Sequence, residues 1–285
     1  MKNSETWPLR NSDVDKQWAK SALVVAHPDD EILWFSSILD KVDAIILCFM
    51  GNPRVPERRN ARLRVLENYP QGNVSTLDID TSGASGSVNW NTAIESDVGL
   101  KIENTAARQA YQETYQRIED ELRSRLGDYA NVFTHNPWGE YGHADHVQVH
   151  RAVNSLSTEL GFQVLFANYV SPKSMRLALP YLCKTGYPEC LTLSTNVKLA
   201  HSVRELYIRE DCWTVPENFS WAKSESFNSG ILDTDGDGSV ENSSLFPLNF
   251  IPWRYRVPEP KNRSTTASQK FKEFRRRAWD ALKSI

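Results

Sequence analysis

Five strand-like runs recur through the first 170 residues: SALVVA (21–26), DAIILCFM (43–50), VSTLDI (74–79), ANVFTH (130–135) and FQVLFANYV (162–170). The first is continuously apolar, the pattern of a strand covered on both faces. Helical patterns separate the runs: EILWFSSIL (31–39), PERRNARLRVLENY (56–69), TAARQAYQETYQRIEDELRSRLG (105–127) and HVQVHRAVNSLSTEL (146–160). Pro56 suits a helix start. Ala107, Tyr111, Tyr115, Ile118 and Leu122 share one helical face, and Gly127 is a stop. Strands alternating with helices predict an α/β fold: a mostly parallel sheet with helices on both faces, followed by an irregular C-terminal segment.

The rest of the chain narrows the classes. Residues 80–104 are rich in Ser, Gly, Asn and Asp and read as a long loop; beyond about residue 170 the pattern weakens. The stretch FPLNFIPWRYRVPEPKNRSTT (246–266) reads as irregular chain packed over the domain, and a basic amphipathic helix closes the sequence. Its stripe of Phe271, Phe274, Ala278, Leu282 and Ile285 is expected to dock on its own domain rather than on a membrane surface. A net charge of −3 gives no reason to expect a nucleic-acid partner. No apolar run approaches a membrane span, and the N-terminus lacks the apolar core of a secretory signal. The four cysteines show no C-x-x-C spacing, so a reduced, cytoplasmic protein is expected.

The chemistry lies where the first and fourth runs end. The first leads into AHPDDE (26–31), the fourth into THNPWGEYGHADH (134–146). Ligands of parallel sheets bind outside the carboxyl ends of the strands, so both clusters can face one crevice. His27, Asp30 and His146 offer two imidazoles and a carboxylate, a set that binds Zn²⁺ or Fe²⁺ and leaves coordination positions open. A divalent cation would offset the gathered acids. Asp29, beside Asp30, is the candidate general base. His143, kept protonated, and Tyr141 can stabilise an oxyanion. Asp145 either orients His143 or caps the helix that begins near His146.

Together AHPDDE and YGHADH resemble the LmbE/PIG-L family of zinc-dependent N-deacetylases, which remove acetyl from N-acetylglucosamine-type sugars. The resemblance covers roughly residues 20–170 and implies a Rossmann-like fold. It implies zinc ligands at His27, Asp30 and His146, a general base at Asp29, intermediate stabilisation by His143 and Tyr141, and tuning by Asp145. Residues 1–265 would form one deacetylase domain with its core at 20–170, and residues 266–285 the terminal helix. Family members often carry Arg-x-x-Glu at the start of the helix after the second strand. Here RRNARL places Ala61 at the acid's position, and Arg58 best matches the sugar-holding arginine. Trp34 and Trp138, beside the motifs, can stack on a sugar face.

Other candidates carry less. His135, His150 and His201 read as satisfied core or surface residues, although His150 stands four positions after His146, a helical metal-pair spacing. DTDGDGSVE (233–241) sets Asp233, Asp235 and Asp237 like the start of a Ca²⁺ loop, but Ser244 stands where the bidentate Glu belongs. The reading is a metal-dependent deacetylase acting on a small-molecule or glycan substrate. The alternatives are a hydratase using a similar metal site and a non-catalytic carbohydrate- or calcium-binding module. An intact Asp29 argues against the module, because binding needs no base.

Overall fold

Alternating apolar residues fix how the strands stack. The structure is a computed structural model and describes residues 20–52, 55–182, 190–216, 219–228 and 247–251. Five strands pair in parallel: β1 (Ser21–Val25), β2 (Ala44–Gly51), β3 (Val74–Asp80), β6 (Asn131–Thr134) and β7 (Gln163–Ala167). Leu23 and Val25 join Ile45, Leu47, Phe133 and Leu165 on one face. Ala22 and Val24 join Ile46, Cys48, Val132 and Val164 on the other. β1, β2, β6 and β7 are therefore apolar on both sides, as a sheet between two helical layers requires.

The helices supply the matching stripes. α1 (Asp30–Trp34), α2 (Glu57–Glu67) and α6 (Val197–Arg209) cover the Leu23 face through Ile32, Val65, Val203 and Tyr207. α3 (Thr105–Leu126) and α4 (Ala144–Leu160) cover the Val24 face through Ile118, Leu122, Val153 and Leu156. Burying each such side chain contributes about 1.5–3 kcal/mol.

The sheet order is β3-β2-β1-β6-β7-β10-β9, where β9 is Cys190–Ser194 and β10 is Ser224–Asn228. The fold is thus α/β with a mostly parallel sheet, and β10 and β9 extend it antiparallel. Chain order reverses between β1 and β6, so the crevice opens at their carboxyl ends. The helix expected over 31–39 stops at Trp34. Ser37 gives its N–H to Glu225 Oε2 (2.8 Å) and Ser36 its hydroxyl to Glu225 Oε1 (2.8 Å), which draws the chain out of the helical path.

The 80–104 segment is not free loop. It holds a 3₁₀ turn (Ala84–Ser87) and a small ribbon of β4 (Glu95–Ser96) and β5 (Gly99–Leu100). Ala84, Trp90, Leu100 and Ile102 pack with Tyr111, Trp138 and Phe166. The run at 162–170 breaks at Asn168 into β7 and β8 (Tyr169–Val170), and β8 pairs with β11 (Asn249–Phe250). α5 (Met175–Leu182) follows. No described helix is long and apolar enough to cross a membrane. Among the described residues Cys48 and Cys212 are buried free thiols. The acidic turn with Asp233, Asp235 and Asp237, the terminal helix and Cys183 lie outside the described residues.

Candidate metal centre and active site

β1 and β6 run side by side, with Val24 opposite Thr134, so the segments that follow them meet. After β1 the chain turns sharply. Asp29 sits at φ 101°, a left-handed conformation that costs a non-glycine residue of order 1–3 kcal/mol. Glu31 holds it there: its Oε2 accepts the Asp29 N–H at 2.9 Å, and its Oε1 accepts the Tyr207 hydroxyl at 2.7 Å. After β6, Gly139 lies at φ 70°, and a Cβ there would meet the His143 carbonyl oxygen at 2.6 Å. The turn thus depends on glycine to bring His143 to the start of α4. The helix begins at Ala144, and His143 itself is the cap, its Nδ1 accepting the Asp145 N–H at 3.3 Å.

One oxygen gathers the centre. Asp30 Oδ2 lies 3.1 Å from His27 Nδ1 and 3.2 Å from His146 Nε2, and accepts the His27 N–H at 2.8 Å. Asp30 Oδ1 takes the Trp34 indole N–H at 3.0 Å. Behind each imidazole stands a second carboxylate. His27 Nε2 is 3.1 Å from Asp145 Oδ2, and His146 Nδ1 is 2.7 Å from Glu140 Oε2. An imidazole that donates one N–H to a carboxylate presents its other nitrogen as a lone pair, the usual dress of a metal ligand. His146 Nε2 is buried with no hydrogen-bond partner while facing Asp30. A lone pair aimed at a carboxylate oxygen is unfavourable unless a proton or a cation stands between them. His27, Asp30 and His146 therefore fit a divalent ion. The same neighbourhood brings His27, His143 and His146 together, and Asp30, His135 and His146, each set with donor atoms within 4.8 Å.

Electrostatics follow from burial against pairing. Burial disfavours charge on His146, yet Asp30 and Glu140 outweigh it and lift the imidazole to about 10. Burial likewise works against the Asp30 carboxylate, but His146 and His27 hold it well below the usual range. Asp29 goes the other way: burial and the Asp30 charge push it up to about 6, against Arg62, Thr214 and His27. Burial pushes His143 well below the ordinary histidine value; Asp145 opposes this, and His27 and His146 reinforce it. Burial thus favours the neutral form of His143, against the expectation that it is held protonated. With Nδ1 used in the cap, its N–H is on Nε2.

The other sequence candidates separate. Tyr141 stays at the centre, its ring 5.2 Å from that of His146 and 5.7 Å from that of His143. Asp145 faces His27 first, at 3.1 Å, and His143 second, at 3.9 Å, and the cap belongs to His143. Arg58 is half-buried in the first turn of α2. Trp138 is fully buried, gives its indole N–H to the Tyr169 carbonyl at 2.7 Å and packs on Phe166 and Tyr181. It is a wall behind the site and offers no face to a sugar. Trp34 is also buried, packed on Tyr141, Tyr169 and Phe219. His150 gives Nδ1 to the His135 carbonyl at 2.7 Å, away from the centre.

Four residues at the centre escaped the sequence reading. Glu140 and His135 stand behind His146. The Thr214 hydroxyl donates to Asp29 Oδ2, and Arg62 reaches the Phe49 and Met50 carbonyls at 3.2 Å each, beside Asp29. Glu140 sits inside the second motif, and its acid type was the available signal. Thr214 comes from a segment with no pattern at all.

No protein-family model matches the chain, and no curated protein does. Among solved structures it is similar to the zinc-inhibited form of the teicoplanin deacetylase Orf2, with 15% identity, 73% of this chain and 97% of that chain covered, and a TM-score of 0.47. It is also similar to the A40926 pseudoaglycone deacetylase Dbv21, with 12% identity, 74% and 96% covered, and a TM-score of 0.43. Likenesses this low carry no functional argument, which rests on the residues of the site itself.

Proposed function

We propose that this chain is a divalent-metal-dependent N-deacetylase of the LmbE/PIG-L type, hydrolysing the acetamide of an N-acetylglucosamine-type sugar or glycoconjugate. The observation that carries the reading is the pair of carboxylate-backed imidazoles, His27 and His146, converging on Asp30 with the His146 Nε2 lone pair unpartnered. Those three residues would hold the ion, with zinc or ferrous iron suiting the donor set. When bound, the ion supplies Lewis acidity toward a water molecule and a carbonyl group.

The chain's own residues do the rest. Asp29 takes the proton of the attacking water as the new carbon–oxygen bond forms, and returns it to the amine nitrogen as the carbon–nitrogen bond breaks. Thr214 and Glu31 hold its carboxylate and backbone in place for that exchange. Neutral His143 donates from Nε2 to the former carbonyl oxygen as charge develops, and the Tyr141 hydroxyl is a second donor on the same side. Arg58 lies on α2 as the candidate contact to the sugar. The 80–104 segment reaches the centre through Ser85, and the described stretch around Thr214 reaches it through that residue, so both bear on the choice of acetamido sugar.

The test is acetate release from a panel of N-acetylglucosamine derivatives, by wild type and Asp29→Asn, with metal content measured on both. Release by wild type that collapses in Asp29→Asn at equal metal content supports the assignment. Equal release by the two proteins would sink the mechanism. Absence of acetate from every acetamido sugar, with hydration of an unsaturated diacid instead, would transfer the site to hydratase chemistry.

A further inference from the structure

Glu140 is fully buried and stands at φ 42°, a backbone conformation that a long side chain adopts at a cost. Its surroundings show what keeps it there. Oε1 accepts the Asn136 N–H at 2.9 Å, and the Glu140 N–H returns to Asn136 Oδ1 at 2.9 Å. Asn136 is anchored in turn, its Nδ2 donating to the Ala167 and Tyr169 carbonyls at 3.0 and 2.8 Å. The remaining oxygen, Oε2, faces two imidazoles: His146 Nδ1 at 2.7 Å and His135 Nδ1 at 3.1 Å. The two rings are stacked, with centroids 3.9 Å apart.

The backbone decides the tautomer of His135. The Ala26 N–H donates to its Nε2 at 2.8 Å, so that nitrogen carries the lone pair and Nδ1 carries the hydrogen. His135 therefore spends its lone pair on a backbone amide, although its Nε2 is only 3.6 Å from Asp30 Oδ2. A carboxylate oxygen only accepts, so the second imidazole meeting Glu140 Oε2 also presents an N–H there. In the neutral ring of His146, the form a metal ligand takes, that leaves Nε2 as the lone-pair nitrogen, the atom found buried without a partner.

We propose that Glu140 is the positioning residue of the metal centre: it fixes His146 as the Nδ1–H tautomer, with Nε2 as its ligand atom, and ties His135 back as a spacer outside the ligand set. This rests on the reading of His27, Asp30 and His146 as metal ligands. It assigns a role to an acid that neither motif required, and it excludes His135 from a grouping with Asp30 and His146 that distance alone allows.

The probe is zinc ion alone, titrated into the full chain against a chromophoric chelator. Glu140→Gln keeps the size but loses the charge and one of the acceptor sites. Its zinc affinity should fall on the order of 10–100-fold, the usual effect of removing a carboxylate behind a ligating histidine. Glu140→Asp restores the charge and should recover part of the loss. Wild-type affinity in a folded Glu140→Gln would overturn the proposal. Long-range nitrogen–proton correlation spectra of wild type give a second reading that needs no variant. In the zinc form His146 should carry its hydrogen on Nδ1 with Nε2 shifted by the ion, while both His135 nitrogens stay as in the metal-free form. A zinc-shifted Nδ1 in His146, or zinc-shifted nitrogens in His135, would overturn the proposal and leave the metal centre intact. A folded wild type that takes up no zinc would bring down the ligand assignment itself and this proposal with it.

Discussion

Asp145 Oδ2 lies 3.1 Å from Nε2 of His27, a carboxylate–imidazole contact that ties the two sequence motifs together. Ser85, from the 80–104 insertion, donates to the other oxygen of the same carboxylate at 3.1 Å. Asp145→Asn leaves the geometry but weakens the polarisation of His27. Metal affinity should fall on the order of 10–100-fold in chelator competition. Ser85→Ala should give a smaller loss in the same direction. If neither variant changes affinity, Asp145 does not act through His27.

The nearby histidines do not replace the proposed ligands, because His135 Nε2 and His143 Nδ1 already accept backbone N–H groups. Purified protein should carry close to one zinc or iron per chain, and His27→Ala, Asp30→Ala and His146→Ala should each lose it. Elemental analysis of the three proteins checks this, and full retention in all three rejects the assignment. Affinity should also decline in acid, because both imidazoles must give up a proton to bind.

Asp29 links turnover to pH. Its carboxyl is pushed up to about 6 by burial and by Asp30. Below that pH it holds a proton and accepts none, so kcat/KM should climb as pH rises through about 6. Asp29→Asn should retain metal and lose on the order of 10²–10⁴-fold in turnover, the share of a positioned acid–base group. A pH profile whose acid limb is unchanged in Asp29→Asn would assign the limb to another group.

Thr214 tests how firmly that base must be held. Its hydroxyl donates to Asp29 Oδ2. Thr214→Val keeps the shape and removes the donor. A hydrogen bond to a charged group is worth about 1.5–3 kcal/mol, so kcat should fall on the order of tenfold or more with KM little changed. Thr214→Ser should restore it. An effect confined to KM would make Thr214 a substrate contact instead.

Glu31 makes stability depend on pH. Burial lifts it to about 8 from an ordinary 4.5; the Tyr207 hydroxyl works against that, and the Asp29 charge adds to it. Between those values the folded state holds a proton that the unfolded state has released. Its contribution is complete below 4.5 and fades as pH rises through about 8. Glu31→Gln mimics the protonated acid, since the Tyr207 hydroxyl at Oε1 can rotate to receive the amide. Urea unfolding at pH 5 and pH 8 should show a flatter pH dependence in Glu31→Gln than in wild type. Identical slopes would mean that Glu31 is ionised in the folded protein.

The parallel core was legible because its strands are apolar on both faces, as in SALVVA and DAIILCFM. β10, SESFN, was not: its polar residues are buried by partners the chain supplies from afar, as when Glu225 takes Ser36 and Ser37. The same division runs through the site. His27, Asp29, Asp30, His143 and His146 stand in two short motifs at strand ends, where residue type and position speak together. Glu140 gains its role only when His135 and His146 fall on one carboxylate oxygen, a coincidence of turn geometry. Trp138 misled because nearness to a motif says nothing about which side of the wall a ring occupies.

The parallel pairing of β1 with β6 has a consequence for how the chain is made. His27 and Asp145 are 118 positions apart. A nascent chain that has emerged only through β3 possesses Asp29, Asp30 and Glu31 but none of the imidazoles from the second motif. Its acid cluster stays hydrated and cannot lock until β6 docks and α4 swings His146 over Asp30. On the proposed ligand set an ion would bind only after β1, β6 and α4 have come together, and at a hundredfold excess over its dissociation constant it would add about 2.7 kcal/mol to that state alone. Metal uptake by this proposed site would thus mark the docking of the β1–β6 crossover: no shorter stretch of chain holds all three ligands.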